Sequence, residues 1–284
     1  MELIRTEAHV RDVADEWHRS SETIGLVPTM GALHAGHESL IRTARERDDH
    51  VVVSIFVNPL QFTRQADLER YPRDEAADLA FIQRLDADAV WSPPAREVFP
   101  PAVELVAPDP GPIGGVLEGA SRPGHFAGVL KVVHRLFDVV GPSRAYFGQK
   151  DAQQLFLIRR MVDELAAAVE VVDLPTVRDS DGLAMSSRNA LLSPGEREQA
   201  GCLFLALSEA AAMARAGERD AHALVAAMAR EIGATELASL DYAAVVDDAT
   251  FESLAVLDRP ARALVAARFP SARLIDNVSL PASE

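Results

Sequence analysis

The sequence predicts an α/β protein with a doubly wound, mainly parallel sheet, followed by a smaller C-terminal α+β domain. Short continuous apolar runs such as "VVVSIFV" (51–57) have the pattern of strands buried on both faces. Segments with helical apolar spacing alternate with these runs, which indicates βαβ units. After about residue 177, Ala-rich helical segments and then short strands replace this alternation. We therefore expect domains at residues 1–176 and 177–284.

Each element of the first domain follows from its local pattern. Apolar residues recur every three or four positions in the helical segments, and the predicted strand at 23–29 is a short apolar run rich in β-branched residues. Strands are predicted at 23–29, 51–57, 88–91, 144–148 and 169–177. Helices are predicted at 37–50, 68–86, 128–140 and 151–165. The Pro-rich stretch 98–115 is expected to be an excursion from this domain.

The second domain has a different order of elements. Two Ala-rich stretches, 196–217 and 220–233, predict helices separated by "GERD". Short strands are then predicted at 240–247, 261–269 and 272–280. Helices followed by strands, without alternation, are typical of an α+β arrangement.

Composition excludes several classes of function. The chain of 284 residues has 28 Lys plus Arg against 43 Asp plus Glu, a net charge of −15, so no nucleic-acid partner is expected. Its one cysteine, Cys202, lies in an apolar helical pattern, which favours a buried small side chain over a nucleophile. The N-terminal stretch mixes charges, and the apolar runs are far shorter than the ~20 residues of a membrane helix. A cytoplasmic protein without membrane contact is predicted.

The informative segments are those that directly follow the predicted strands. In open parallel sheets ligands bind outside the carboxyl ends of the strands. Four segments follow strands here: "MGALHAGH" (30–37), "NPLQF" (58–62), "GQKD" (148–151) and "RDSDGLAMSSRN" (178–189).

The histidines of "PTMGALHAGH", His34 and His37, admit several interpretations: a metal site, acid–base chemistry, phosphate binding or packing at a helix start. A zinc site commonly adds Cys, Asp or a third His at fixed spacing, and none is nearby. Phosphate binding has the most support, because the segment follows a buried strand and opens a helix, whose N-terminus favours an anion. Gly31 and Gly36 would let a ligand approach the main chain closely.

Two further segments carry donors for an anion. Lys150 follows a strand and can act as a point-charge phosphate ligand, although such a residue is also common in a surface turn. "GLAMSSRN" (182–189) combines two hydroxyls and an arginine with a glycine, which suits a segment that closes over an anion. A polar loop between domains is the alternative interpretation.

Taken together, these pieces resemble the HIGH/KMSKS nucleotidylyltransferase superfamily. The longer motifs "VPTMGALHAGH", "VSIFVNPLQF", "RYPR", "RPGHFAGV", "FGQKDAQQL", "VRDSDGLAMSSRN" and "RLIDN" occur in the order and near the spacing of the pantoate–β-alanine ligase family, the pantothenate synthetases. The resemblance covers about residues 23–278. It implies a Rossmann-like fold, a homodimer, and ATP-dependent joining of pantoate to β-alanine through a pantoyl adenylate, with release of pyrophosphate and AMP.

The resemblance also implies roles for individual residues. His34, His37, Lys150, Ser186, Ser187 and Arg188 match catalytic positions, with His37 at the family's proton-donor position. ATP-binding positions are matched by Met30, Gly31, Ala32, Leu33, His34, Ala35, Gly36, His37, Gly148, Gln149, Lys150, Asp151, Val177, Met185, Ser186, Ser187 and Arg188. Gln61 and Gln154 match the pantoate-binding glutamines, and Gln61 also lies near the β-alanine position. Asn58 and Arg122 are further candidates for the same pocket.

The resemblance implies Mg²⁺ together with ATP, but its ligands in this chain are left undetermined. Family members often carry two adjacent acidic residues after "YPR", whereas here Asp78 stands beside Ala77. An ion held mainly by phosphates and water is therefore expected, with Asp78 as the one candidate side chain.

Two other functions stay open as alternatives. One is another HIGH-type adenylyltransferase acting on a small carboxylic acid; a truncated aminoacyl-tRNA synthetase is disfavoured by the negative charge. The other is a non-catalytic nucleotide-binding regulator, which would be expected to have lost one of the three anion-binding pieces.

Overall fold

The computed structural model describes residues 1–101, 105 and 108–281. They form two compact units. The large unit contains Met1–Gln149 and Gln153–Pro175, and the small unit contains Lys150–Ala152 with the described residues from Thr176 onward. The predicted boundary between residues 176 and 177 stays a prediction, and part of the predicted Pro-rich excursion (102–104 and 106–107) lies outside the described residues.

The large unit is built on a parallel sheet of six strands. The strands are β1 (Glu2–Ile4), β2 (Ile24–Thr29), β3 (His50–Ile55), β4 (Ala89–Trp91), β5 (Arg144–Gly148) and β6 (Glu170–Leu174). They are ordered β1-β4-β3-β2-β5-β6, with every neighbouring pair parallel. The helices are α1 (Glu7–Arg19), α2 (Ala35–Arg47), α3 (Gln65–Arg70), α4 (Glu75–Gln83), α5 (Ala95–Val98), α6 (Glu118–Ser121), α7 (His125–Val140) and α8 (Ala152–Glu164).

Both faces of this sheet are buried under helices. Leu26 and Val52 point into a cluster with side chains of α1, α7 and α8, whereas Val27 and Val53 point into a cluster with side chains of α2 and α4. Because successive strand residues face opposite sides, burial on both sides requires continuous apolar runs. The predicted doubly wound parallel sheet is confirmed.

Two predicted helices are interrupted. The stretch 68–86 is predicted as one helix, but α3 ends at Arg70 and α4 begins at Glu75. Pro72 explains the break, because proline lacks an N–H and its ring clashes with the carbonyl four residues earlier. The predicted helix 196–217 is likewise interrupted around Gly201, since glycine has a low helix propensity.

The small unit contains three helices and an antiparallel sheet among its described residues. The helices are α9 (Pro194–Gln199), α10 (Cys202–Arg215) and α11 (Ala221–Gly233), and the strands, in the order β7-β8-β9, are β7 (Ser239–Asp247), β8 (Ala261–Arg268) and β9 (Arg273–Leu280). Cys202 is buried in the apolar core of this unit, and burial raises the pKa of its thiol, which agrees with a packing role. Along the described part of the chain, the structure contains no helix that is long and apolar enough to span a bilayer.

Candidate active site

The sheet of the large unit opens between β2 and β5. Their pairing ends with Leu26 opposite Ala145, although both strands continue. Ile24 accepts the N–H of Ser143 at 2.9 Å, so alternate β2 residues from Ile24 onward direct their main-chain groups toward β5. Pro28 is such a residue and has no N–H to continue the ladder. The strands therefore part where the strand order reverses, the place where open α/β sheets bind ligands.

The turn that follows β2 has an unusual main-chain conformation. Gly31 and Ala32 both lie in the left-handed region, with φ of +80° and +51°. This conformation is tolerated by glycine but costs about 1–2 kcal/mol for alanine. A Cβ on residue 31 would also lie 2.7 Å from Oδ2 of Asp78. The turn thus requires a glycine at position 31 for both conformation and space.

Asp78 holds this turn in place. Its Oδ2 accepts the N–H of Ala32 at 2.9 Å and its Oδ1 accepts the N–H of Leu33 at 2.8 Å. The side chain comes from α4 and is only 4% exposed. Hydrogen bonds to a buried carboxylate are among the stronger ones in proteins, so they offset the strain of the turn.

The role of Asp78 in shaping the turn was not predicted from the sequence, which named this residue only as a candidate magnesium ligand. Both carboxylate oxygens are occupied by main-chain donors. Among the described residues there is no group of three or more His, Cys, Asp or Glu side chains that could hold a metal ion. Since Mg²⁺ is commonly bound by one or two carboxylates together with substrate phosphates, the predicted role of Asp78 toward this ion stays a prediction.

The two histidines are oriented by the main chain at the start of α2. Nδ1 of His34, the N-cap residue, accepts the N–H of Gly36 at 3.1 Å. Nδ1 of His37 accepts the N–H of His34 at 3.2 Å. A ring nitrogen that accepts a hydrogen bond carries no proton, so the proton of each neutral ring lies on Nε2. Both rings are hydrogen-bond donors at Nε2, and protonation of Nδ1 would break a main-chain hydrogen bond.

These donors lie together on a helix N-terminus. The ring centroids of His34 and His37 are 4.1 Å apart, with the planes tilted by 44°. The positive end of the helix dipole of α2 lies beside them, whereas the N–H groups of Gly36 and His37 are bonded to Nδ1 and to the carbonyl of His34. Gly36 leaves space for this arrangement, because a Cβ there would lie 2.9 Å from Cε1 of His34. The arrangement is suited to a phosphate chain.

A second group of predicted residues meets around Gln61. Its Nε2 lies 2.7 Å from the sulfur of Met30, and its Oε1 accepts Nδ2 of Asn58 at 3.2 Å. Asn58 also donates to the carbonyl of Gly128 at 2.9 Å and caps the 3₁₀ helix Pro59–Gln61. Gln61 and Asn58 are both buried. The structure therefore joins a predicted pantoate residue to the predicted ATP segment through Met30.

Arg122 lies beside Gln61 and forms a hydrogen bond with His125. Both side chains contact the carbonyl of Gln61, at 3.2 Å from Nη2 of Arg122 and 2.9 Å from Nδ1 of His125. A carbonyl only accepts, so Nδ1 of His125 carries the proton, and Nε2 accepts from Nη1 of Arg122 at 3.1 Å. These bonds fix the main chain of Gln61.

Several structural residues of this region were not singled out from the sequence. Gly128 packs against the main chain of Leu60, where a Cβ would lie 2.4 Å from the carbonyl oxygen. Gln153 is buried and binds the main chain of residues 113, 116 and 118, whereas its neighbour Gln154 is half-buried. These residues belong to the motifs "RPGHFAGV" and "FGQKDAQQL". The spacing of a motif alone does not tell which of its residues contact a ligand and which hold the main chain.

The segment after β5 contains the predicted lysine. Gly148 ends β5, and Gln149 donates to Asp173 on β6 at 2.5 Å. Lys150, in the small unit, is half-buried. Its Nζ lies 3.9 Å from Oδ1 of Asp151, which is too far for a hydrogen bond between these two atoms. Lys150 therefore keeps an ammonium group capable of binding an anion.

The remaining predicted ATP residues lie on one hairpin of the small unit. Met185 donates its N–H to the carbonyl of Val177 at 2.9 Å, which brings two predicted contacts together. Ser186 caps the 3₁₀ helix Ser187–Leu191, and its Oγ accepts the N–H of Arg188 at 3.2 Å. Residues 185–188 are all half-buried. Their hydroxyls and guanidinium form a local set of anion donors.

A cavity of about 310 Å³ lies in the large unit beside Met30. It is also lined by Arg73, Asp74, Glu75, Asp78 and Ser92, together with apolar residues at the ends of β3 and β4. Hydrogen bonds from Arg5 and Ser92 lower the pKa of Glu75 from 4.5 to about 2. Met30 is the member of the predicted ATP segment among the residues that line this cavity.

Comparison with known proteins identifies the family of this chain. The model of the family "Pantoate-beta-alanine ligase" matches residues 2–279. A pantothenate synthetase from Rubrobacter xylanophilus is 48% identical over 286 residues, covering 98% of each chain. The crystal structure of a pantothenate synthetase from Thermus thermophilus has a TM-score of 0.92 at 44% identity and covers 99% of this chain and 100% of that one.

A further solved structure is that of a ligand complex. It is a pantoate–beta-alanine ligase from Francisella tularensis complexed with beta-gamma ATP and beta-alanine, with a TM-score of 0.79 at 32% identity, covering 98% of this chain and 97% of that chain. The family match spans nearly the whole chain, and the fold and the order of the strand-end motifs agree with it. This chain therefore belongs to the pantoate–β-alanine ligase family.

Proposed function

We propose that this protein condenses pantoate with β-alanine in an ATP-dependent reaction that passes through pantoyl adenylate and releases pyrophosphate and AMP. The observation that carries the proposal is the pair of Nε2–H donors of His34 and His37 on the N-terminus of α2, at the opening between β2 and β5. Family membership supports the substrates.

The first half-reaction is adenylation. The pantoate carboxylate attacks the α-phosphorus of ATP, a P–O bond forms, and the bond to pyrophosphate breaks. A carboxylate needs no general base, and pyrophosphate leaves as an anion. We infer that His34 and His37 stabilise the departing charge by hydrogen bonds and that neither transfers a proton, because Nδ1 of each is engaged with the main chain.

The second half-reaction is amide formation. The neutral amine of β-alanine attacks the acyl carbon of pantoyl adenylate, and AMP leaves with the oxygen that came from pantoate. The amine loses one proton to solvent or to the leaving phosphate. The contribution of the protein to this step is to hold the two reactants in attack geometry.

We assign the substrate contacts as follows. Gln61 and Gln154 bind pantoate, and Gln61 also lies beside β-alanine, with Asn58 and Arg122 supporting the same pocket. Lys150, Ser186, Ser187 and Arg188 bind phosphates, and Val177 contacts adenine through its main chain. ATP is further bound by Met30, Gly31, Ala32, Leu33, Ala35, Gly36, Gly148, Gln149, Asp151 and Met185. The donor chemistry of the Lys150, Ser186, Ser187 and Arg188 side chains supports their assignment to phosphates, and the family match supports the other assignments.

Magnesium enters with ATP as part of the substrate. Mg²⁺ keeps several waters and is commonly bound through substrate phosphates, which is compatible with the absence of a metal-binding cluster among the described residues. No residue of the chain is assigned to it.

An isotope experiment tests the proposed reaction. The protein is incubated with MgATP, β-alanine and pantoate labelled with ¹⁸O in its carboxylate, and AMP is analysed by mass spectrometry. We expect AMP formation to require pantoate and AMP to contain one labelled oxygen. AMP formed without pantoate would disprove the proposal, whereas label transfer from another acid would favour a different adenylyltransferase. Calorimetry that detects ATP binding without turnover of any acid would favour a regulator.

We also propose a cytoplasmic homodimer with a domain boundary near residue 176. The family resemblance supports the dimer, and light scattering at micromolar concentration tests it. A mass near 30.7 kDa would indicate a monomer and contradict the proposal.

A further inference from the structure

Strand β9 carries a buried polar pair to which the proposed reaction gives no task. Asp276 and Asn277, from the motif "RLIDN", are 2% and 4% exposed. A buried carboxylate and a buried amide both cost free energy unless their hydrogen bonds are satisfied. The partners of this pair within the small unit therefore indicate what the pair does.

The amide of Asn277 has a defined orientation. Its Oδ1 accepts Nη1 of Arg262 at 2.6 Å, and Arg262 also donates to Asp248 at 2.8 Å. A guanidinium has only donors, so the amide oxygen must face Arg262 and the NH₂ group must face away from it. That NH₂ group donates to the main-chain carbonyl of Lys150 at 2.9 Å. Asn277 thus holds the main chain of the lysine proposed to bind phosphate.

Asp276 acts on a second segment through Arg178. The two side chains form a bidentate pair, with distances of 2.6 and 3.0 Å, and the guanidinium lies 4.3 Å from the centre of the Phe204 ring. Burial raises the pKa of the Asp276 carboxyl, and the guanidinium of Arg178 opposes that effect. Arg178 also donates to the carbonyl of Gly182 at 3.0 Å.

The contact with Gly182 closes the hairpin that leads to residues 185–188. Arg178 pairs with Ala184 across this hairpin, and the N–H of Asp179 donates to the carbonyl of Leu183 at 2.9 Å. Gly182 has a φ of +87°, and a Cβ there would lie 2.1 Å from the Phe204 ring. The position of Arg178 therefore determines how the chain enters Met185–Arg188.

We propose that Asp276 and Asn277 are positioning residues for ATP: Asn277 places Lys150, and Asp276 places residues 185–188 through Arg178. This inference rests on the proposed function of Lys150 and of residues 185–188. One short piece of β9 thereby holds two anion-binding segments that are far apart in the sequence. Fixing their main chains in advance lowers the ordering that phosphate binding requires.

The test uses Asn277→Asp, a change that keeps the size of the side chain and an oxygen for Arg262. It replaces the NH₂ donor by an oxygen that faces the Lys150 carbonyl. We expect the KM for ATP to rise about tenfold, as for a lost hydrogen bond to a positioned group, with the KM for pantoate changed less than twofold. Asn277→Ala is measured in parallel, in case the added charge prevents folding.

A matched control perturbs the same strand without touching the pair. Asp241 on β7 accepts from Arg273 at the beginning of β9 at 2.7 Å. Asp241→Asn should lower the thermal midpoint and leave the KM for ATP within twofold of wild type. If this variant raises the KM for ATP as much as Asn277→Asp does, the effect comes from general loosening of β9 and the proposal is wrong.

A double-mutant cycle separates positioning from stability. If Asn277 acts through Lys150, Asn277→Asp should have less than a twofold further effect on ATP binding in a Lys150→Ala background. Additive effects would overturn the role of Asn277.

A second variant, Arg178→Lys, tests Asp276. It keeps the positive charge beside Asp276 but removes the guanidinium that also reaches the carbonyl of Gly182, so it should raise the KM for ATP severalfold. An unchanged KM would overturn the role of Asp276. Wild-type protein that forms no pantoate-dependent AMP would instead refute the underlying function.

Discussion

The turn after β2 and the segment Met185–Arg188 both supply donors for an anion, but the protein holds them in different ways. The main chain of the turn contains two left-handed residues and is fixed by hydrogen bonds to the buried carboxylate of Asp78 and to the Nδ1 atoms of two histidines. The segment at 185–188 is half-buried and begins a short 3₁₀ helix, whose supports include local hydrogen bonds from Arg188 to Ser186 and from Asn189 to Ala184.

Because of this difference, we expect the two regions to contribute to different steps of the reaction. Donors that are fixed before the ligand arrives stabilise the charge of a transition state without further reorganisation. The donors at 185–188 are held by hydrogen bonds at the base of their hairpin and by short local ones, so we expect them to contribute mainly to the affinity for ATP. We therefore expect substitutions in the turn to change the rate and the stability, and substitutions at 185–188 to change the KM for ATP.

The largest effect is expected for His37→Ala. Loss of a donor to developing charge should slow adenylation by about 10²–10³-fold. Single-turnover formation of pantoyl adenylate measures it, with circular dichroism as the control for folding. A rate within threefold of wild type would remove His37 from the chemistry.

His37→Gln sharpens the interpretation of this result. The glutamine Nε2 can replace the imidazole Nε2–H as a donor, but glutamine does not titrate. If His37 only donates a hydrogen bond, the adenylation rate of this variant should be at least tenfold higher than that of His37→Ala. Its rate should also have the same pH dependence as wild type between about pH 6 and 8, the range where histidine titrates. No recovery would favour proton transfer.

Asp78→Ala should have the next largest effect. It leaves two buried N–H groups without their acceptor and releases a strained turn, so we expect a loss of about 2–3 kcal/mol in the free energy of unfolding and a slower adenylation step. Thermal and urea unfolding measure the first effect. Asp74→Asn, a conservative change in the N-cap of the same helix, is the matched control and should be nearly neutral. Unchanged stability of Asp78→Ala would mean that the turn does not depend on the carboxylate.

Ser186→Ala tests the other side of the comparison. It removes the hydroxyl that caps residue 188 and the proposed phosphate donor, so we expect the KM for ATP to rise about tenfold with little change in thermal midpoint. Ser186→Thr keeps the hydroxyl and should restore most of the affinity. A large drop in stability with a normal KM would reverse the contrast between the two regions.

The smallest effect is expected for Glu75→Gln, beside the cavity at Met30. The pKa of Glu75 is lowered to about 2 from 4.5, so its stabilisation is complete above about pH 4.5 and is lost as the pH falls toward 2. Since the Arg5–Glu75 pair is more than two-fifths exposed, we expect less than ~1 kcal/mol. Unfolding free energies of both proteins should converge as the pH falls from about 4.5 to 2; a constant difference would contradict the assignment.

Much of the fold was predictable from local patterns. The continuous apolar runs predicted β2 and β3 because burial on both faces leaves a simple signature. Helix α1 was not predicted, although the sequence indicates it. Thr6 is a suitable N-cap, and apolar residues follow at helical spacing at Val10, Val13, Ala14 and Trp17. The break in the helix at 68–86 could also have been predicted, because Pro72 lies in the interior of that stretch, where proline breaks an α-helix.

The sequence by itself determined the family, the parallel sheet and the segments that carry donors, because these depend on residue type, period and order along the chain. Only the tertiary structure showed which main-chain groups Asp78, Asn277 and the ring nitrogens of His34 and His37 contact. Asp78 is 46 positions from Ala32 and Asn277 is 127 positions from Lys150. A hydrogen bond requires that two atoms lie about 3 Å apart to within a few tenths of an ångström. Folding brings such atoms together from distant parts of the chain, and no local sequence pattern records that.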